Sequence, residues 1–226
     1  MRLSVVLSTL AGFVGAAAYA HSAGYFVTFM TGNTERAVIG TFVGDSTIAR
    51  GAAYIIGSFV LGVFVASVCR RFWWRNHPHG ATMLTTLALL AACVSDYIQE
   101  STQTGIGLLP IQFVAFGMGS LNTSFVKKGE VSIPVSYVTG TLVKLTQGIE
   151  RHLVGKGSVY DWLGYAVQYG GFALGALIGG LVSLAVSGRF MLDAALIGSA
   201  LVAMYTWRAD IRYVRWQEKR RGEAGA

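Results

Sequence analysis

Six apolar runs, at about 3–22, 51–69, 81–98, 106–124, 161–187 and 190–207, leave little of this 226-residue chain to fold elsewhere. Each approaches the roughly 20 residues that span the hydrocarbon of a bilayer. Apolar residues make up 53% and charged residues 13%, with a mean hydropathy of +0.52; this argues against a soluble domain and for an all-α integral membrane protein. No Pro- or Ser-rich linker divides the sequence, which predicts one membrane domain over residues 1–226. Arg2, the first run and Ala18-Tyr19-Ala20 also resemble a secretory signal peptide. The repeat described next needs those residues as its first span, so they are kept.

Between the first two runs stands T28-F-M-T-G-N-T-E-R36, and a related phrase, S136-Y-V-T-G-T-L-V-K144, follows at an offset of 108. At that offset Thr28 meets Ser136, Phe29 meets Tyr137, Gly32 meets Gly140, Arg36 meets Lys144 and Gly40 meets Gly148. The register continues to Gly62 on Gly170 and Met83-Leu84 on Met191-Leu192. With a shift of one residue, Gly12-Phe-Val-Gly15 pairs with Gly119-Ser-Leu-Asn122. The chain thus divides into repeats of about 1–104 and 105–207, followed by a basic tail, 208–226.

Within each phrase the residue types change abruptly. Tyr25 to Met30 is aromatic and β-branched, which favours extended backbone. Thr31-Gly32-Asn33-Thr34 then supplies helix-capping types, predicting a half-helix from Gly32 to Phe42, about 16 Å long. The second phrase predicts an extended segment over 131–138 and a half-helix from Thr139 to near Gly148.

Three spans per half is an odd number, so re-entrant phrases make the two halves face opposite ways. Short cytoplasmic loops collect Lys and Arg. With both termini cytoplasmic, Arg2, Arg70, Arg71, Arg75, Lys127, Lys128, Arg151, Lys156 and the six basic residues of 208–221 lie inside, against Arg50 and Arg189 outside. Phrases that crossed the membrane would divide the same residues far less cleanly. The expectation is therefore six transmembrane helices arranged as two inverted three-helix repeats, each with a re-entrant strand plus half-helix, in a bacterial inner (plasma) membrane.

Such an arrangement argues for transport, since inverted repeats place discontinuous helix ends at the midplane around a solute. Free N–H groups and the positive helix end favour an anion there. Candidate solute-binding residues are Thr31, Gly32, Asn33, Thr34, Arg36, Asn122, Thr139, Gly140, Thr141 and Lys144. Bland roles stand beside these: Thr and Asn as caps, Arg36 and Lys144 snorkelling to an interface. Glu35 is a weaker candidate, because Val143 occupies its matching position.

Elsewhere the chemistry is sparse. Cys69 and Cys93 read as packing residues, His77 and His79 form an HxH without further ligands, and no metal or cofactor is expected. Asp96 and Glu100 are expected at a solvated outer interface, and Gln168 and Tyr169 at a cavity or in packing. Gly171, Gly175 and Gly179 form a stripe for close helix packing, within the repeat or in a homodimer. The aromatic and basic tail suits an anchor to anionic lipid better than nucleic acid.

G12-F-V-G-A-A-A-Y19, F29-M-T-G-N-T34 with Arg36, F116-G-M-G-S-L-N122 and Y137-V-T-G-T-L142 together resemble the YoaK family of small bacterial membrane proteins, a domain of unknown function. That family shows an acidic residue where this chain has Gly15. Where the carboxylate couples a proton or cation in relatives, this chain lacks the group. The strand and half-helix, present twice, are also similar to the central element of the sulfate-permease and nucleobase-transporter fold, which has seven spans per half. At the level of fold this is analogy. The function classes are a permease or channel for a small anionic solute, and a non-transporting scaffold or ligand sensor. No Ser/His, paired-carboxylate or Cys/His set lies in the spans, which argues against an enzyme.

Overall fold

The computed structural model describes residues 2–74, 79–99, 105–127, 130–131 and 135–224. They form helices α1 (Arg2–His21), α2 (Met30–Phe42), α3 (Ser46–Phe72), α4 (His79–Ile98), α5 (Leu108–Asn122), α6 (Val138–Leu153), α7 (Tyr160–Ser183) and α8 (Gly188–Ala224). One antiparallel hairpin joins β1 (Val126–Lys127) to β2 (Glu130–Val131). Five helices, α1, α3, α4, α7 and the first part of α8, are long and apolar enough to cross a membrane. Helix α5, expected as a further span, has 15 residues, about 22 Å at 1.5 Å per residue. Extended residues beside Gly107 and a turn at Thr123 carry the chain beyond its ends. His77 and Glu100 lie outside the described residues.

The bundle is held by exchange between the two halves of the sequence. Helix α1 packs along α7, with Gly171 beside Val5, Gly175 beside Thr9 and Gly179 beside Phe13, so the two run in the same direction. A Cβ at Gly12 or Gly175 would overlap the partner's main chain, which is why these positions are glycine. The glycine stripe is therefore used inside the chain. Helix α5 packs in the same manner on α3: a Cβ at Gly62 would overlap the Phe116 carbonyl, and one at Gly119 the Phe59 carbonyl. Ser120 Oγ donates to the Gly62 carbonyl at 3.2 Å.

Helices α1 and α5 run in opposite directions. The Ile106 N–H at the start of α5 donates to the His21 carbonyl at the end of α1, while Val135, beyond the end of α5, meets Ser8 near the start of α1. Helices α4 and α8 are likewise antiparallel, tied by Thr82 to Thr206 and Thr86 to Ser199, each at 2.8 Å, and by Asp96 to Arg189. The last pair corrects the expectation of a solvated Asp96. Its side chain is 4% exposed and accepts from Arg189 Nε at 3.0 Å. The pairing follows from the antiparallel register, which brings the end of α4 to the start of α8; sequence reading placed Arg189 on the same side but not in contact.

Each short helix folds back onto the long helix after it. Gly44 and Gly155 make the two turns with positive φ, 79° and 70°, a conformation that suits glycine. Asp45 caps α3 by accepting from the Ile48 N–H at 3.0 Å. Gly40 then packs against Ala49 of α3, and Gly148 against Trp162 of α7. The basic tail continues α8 as one helix to Ala224.

Candidate functional site

Neither short helix starts where the capping residue types placed it. Helix α2 begins at Met30 and α6 at Val138, so Phe29 and Tyr137 occupy the N-cap positions, and neither side chain caps. Thr31-Gly32-Asn33 and Thr139-Gly140-Thr141 lie within the first turns. Residues 25–29, expected as an extended segment, form no strand and bend at Val27 and Thr28, and α6 runs five residues past Gly148. The physical reason is the glycine. A Cβ at Gly32 would collide with the Phe29 ring, and one at Gly140 with the Tyr137 ring. In both phrases the aromatic residue three positions earlier folds its ring over the glycine, so that residue rather than a threonine takes the N-cap position. The glycines, expected to admit a ligand, are occupied by these rings.

Most of the expected binding residues fasten the phrases. Asn33 is fully buried and closes a ring with Phe26: its Oδ1 accepts from the Phe26 N–H at 3.1 Å and its Nδ2 donates to the Phe26 carbonyl. Arg36 donates through Nη1 to the Gly24 carbonyl and Nη2 to the Ala23 carbonyl, both at 2.7 Å, with its guanidinium 5.4 Å from the Tyr25 ring centre. Its Nε is buried without a partner. Thr34 and Thr141 return their hydroxyls to the carbonyls of Met30 and Tyr137, at 3.0 and 2.9 Å. Lys144 is exposed, its Nζ 5.8 Å from the Tyr165 ring centre. Thr31 and Thr139 are exposed at equivalent positions in the two first turns.

Asn122 grips the second phrase. Its Oδ1 accepts from the Ser136 N–H at 3.0 Å, its Nδ2 donates to Ser136 Oγ at 2.9 Å and to the Met118 carbonyl at 2.8 Å. Ser8 of α1 adds a bond to the Val135 carbonyl at 3.1 Å. The sequence drew attention to Asn122 through its place opposite Gly15; nothing in it marked Ser8.

Both phrases reach the same helix. Thr28 lies against Gly15 of α1 and Val135 against Ser8. Positions seven apart share a helix face, and their levels differ by about 10 Å. Each contact lies six residues from its end of α1, about 9 Å in. Val27 and Val135 are buried, 0% and 2% exposed, in a core shared with Val14, Met118 and Leu121. At the end of α1 beyond the first phrase, an open pocket of about 830 Å³ is bordered by His21, Ser22, Gly105, Ser183 and Ser187. Gln168 is buried in α7, while Tyr169 is 37% exposed.

Long apolar helices with close glycine contacts between them define a multi-pass membrane protein. The chain belongs to the family described as "Protein of unknown function (DUF1275)", whose model matches residues 3–206. It is similar to the UPF0700 transmembrane protein RA0705 of Rhizobium meliloti (strain 1021), at 33% identity over 226 residues, covering 97% of this chain and 90% of the relative. No solved structure matches.

Proposed function

We propose that this protein is a permease or channel for a small anionic solute, built as two inverted repeats in a bacterial inner membrane with both termini cytoplasmic. The observation that carries it is the pair of side-chain-uncapped starts of α2 and α6, reached from opposite ends of α1 on one of its faces. Uncapped first-turn N–H groups attract an anion, and Thr31 and Thr139 add hydroxyls beside them. Opposite directions of α1 and α5, and matched use of Gly32 with Gly140 and Gly40 with Gly148, support the inverted repeat.

The positive charge of the site comes from helix ends, since Arg36 is committed to backbone carbonyls. Buried Val27 and Val135 close the path in this conformation, and the open pocket beside His21 is its entrance. Transport then requires the phrases to part by rocking, as in other inverted-repeat carriers.

Reconstitution into proteoliposomes with a panel of labelled small anions tests this. Uptake of one class, reduced at least tenfold in Thr31→Val/Thr139→Val, is the expected result. A thermal shift on anion binding with no flux supports the alternative, a non-transporting sensor; no binding and no flux removes both readings.

A further inference from the structure

Helices α4 and α5 pack tightly, because Gly117 lets them approach. Thr85 Oγ1 donates to the Gly117 carbonyl at 3.0 Å, and a Cβ at Gly117 would sit 3.3 Å from that of Ala88. In the corresponding contact of α1 with α8, the position of Gly117 is taken by Leu10. Gly198 of α8 lies opposite, and a Cβ there would be 3.4 Å from Leu10 Cδ1. The leucine holds the helices apart. What remains is a groove of about 400 Å³ between α1, α7 and α8, lined by Val6, Thr9, Phe13, Ile178, Gly198 and Val202 among others.

We propose that this groove binds one acyl chain of an anionic phospholipid, from the leaflet at the N-terminal end of α1. From Val5 to Phe13 it runs about 12 Å along α1. Its lining residues all belong to membrane-spanning segments, where a void of this size would forfeit dispersion contacts along its walls. A second helix is too large for it: with side chains a helix is about 10 Å across and over the same length fills roughly 900 Å³. Charge sets the headgroup. The groove is lined by the N-terminal half of α1, which begins at Arg2, and by α8 up to Val202, beyond which that helix continues into a stretch whose sequence holds Arg208, Arg212 and Arg215. Basic residues beside a membrane surface attract anionic headgroups.

Native mass spectrometry of the full-length protein, released from vesicles of equal phosphatidylglycerol and phosphatidylcholine, tests the proposal. One phosphatidylglycerol per chain should be retained, favoured about fivefold for each basic residue engaged. Gly198→Leu should abolish retention, and Val6→Phe, which fills the groove from its exposed rim, should do so with an unchanged thermal transition. Arg208→Gln/Arg212→Gln/Arg215→Gln should remove the headgroup preference and leave a lipid bound. Undiminished phosphatidylglycerol in a folded Val6→Phe protein overturns the proposal. So does a dimer that Val6→Phe dissociates with no loss of lipid, which would make the groove a contact between copies.

Discussion

Gly15 and Thr28 touch where their counterparts, Asn122 and Ser136, are hydrogen-bonded. A Cβ at Gly15 would lie 2.7 Å from Thr28 Oγ1, whereas Asn122 and Ser136 share bonds of 2.9 to 3.2 Å. The first phrase is thus fastened to its own helix through Asn33 and Arg36. The second is also fastened to α5 and α1 through Asn122 and Ser8. In Gly15→Asn, rotation of the Thr28 hydroxyl lets a second clamp form. Slower amide exchange over residues 25–29, measured by mass spectrometry, is the expected result, and faster exchange there would reject the clamp.

Asn122→Ala removes that grip from the second phrase and leaves the Ser136 N–H without its acceptor. The expected loss is about 2 kcal/mol, in the range for an unsatisfied buried donor. Thermal unfolding in detergent checks it, and Ser8→Ala, which loses a single bond, should shift the transition by less than half as much.

Gly140→Ala drives the Tyr137 ring from the first turn of α6. The single substitution should destabilise the protein, and combining it with Tyr137→Ala should recover part of the loss, because the clash disappears with the ring. A double-mutant cycle reads this directly; additive effects would show that the ring and the glycine are independent.

Arg189→Gln leaves the buried Asp96 carboxylate unpaired, whereas Asp96→Asn leaves a partly exposed guanidinium that water can reach. Arg189→Gln should therefore lower the thermal transition more than Asp96→Asn. Equal effects of the two variants on thermal stability would mean that burial of Asp96 does not set the energy of this pair.

Much of the architecture was legible because it rests on period and composition. The apolar runs located the long helices, and the offset of 108 paired Gly40 with Gly148 before either was seen packing on the helix that follows. The helix starts were misplaced for a physical reason. Thr31-Gly32-Asn33-Thr34 has the composition of a cap, but an aromatic ring three residues before each glycine competes for the same space. That spacing, F29-M-T-G32 and Y137-V-T-G140, was present in both copies. Contacts made across the chain, Ser8 with Val135 and Asp96 with Arg189, leave no local signature. Asp193, which accepts from the Tyr97 hydroxyl at 3.3 Å, is another such residue.

The exchange of partners between α1 and α7 has a consequence for how the protein is made. When α1 leaves the ribosome, the glycines it packs against at 171, 175 and 179 have yet to be synthesised. Its Ser8 must wait in lipid, or beside the insertion machinery, until Val135 has followed, and its Gly12 until Phe172 has. Neither half of the sequence can complete its interior alone, so two separately translated fragments cut between residues 104 and 105 should assemble only when produced together.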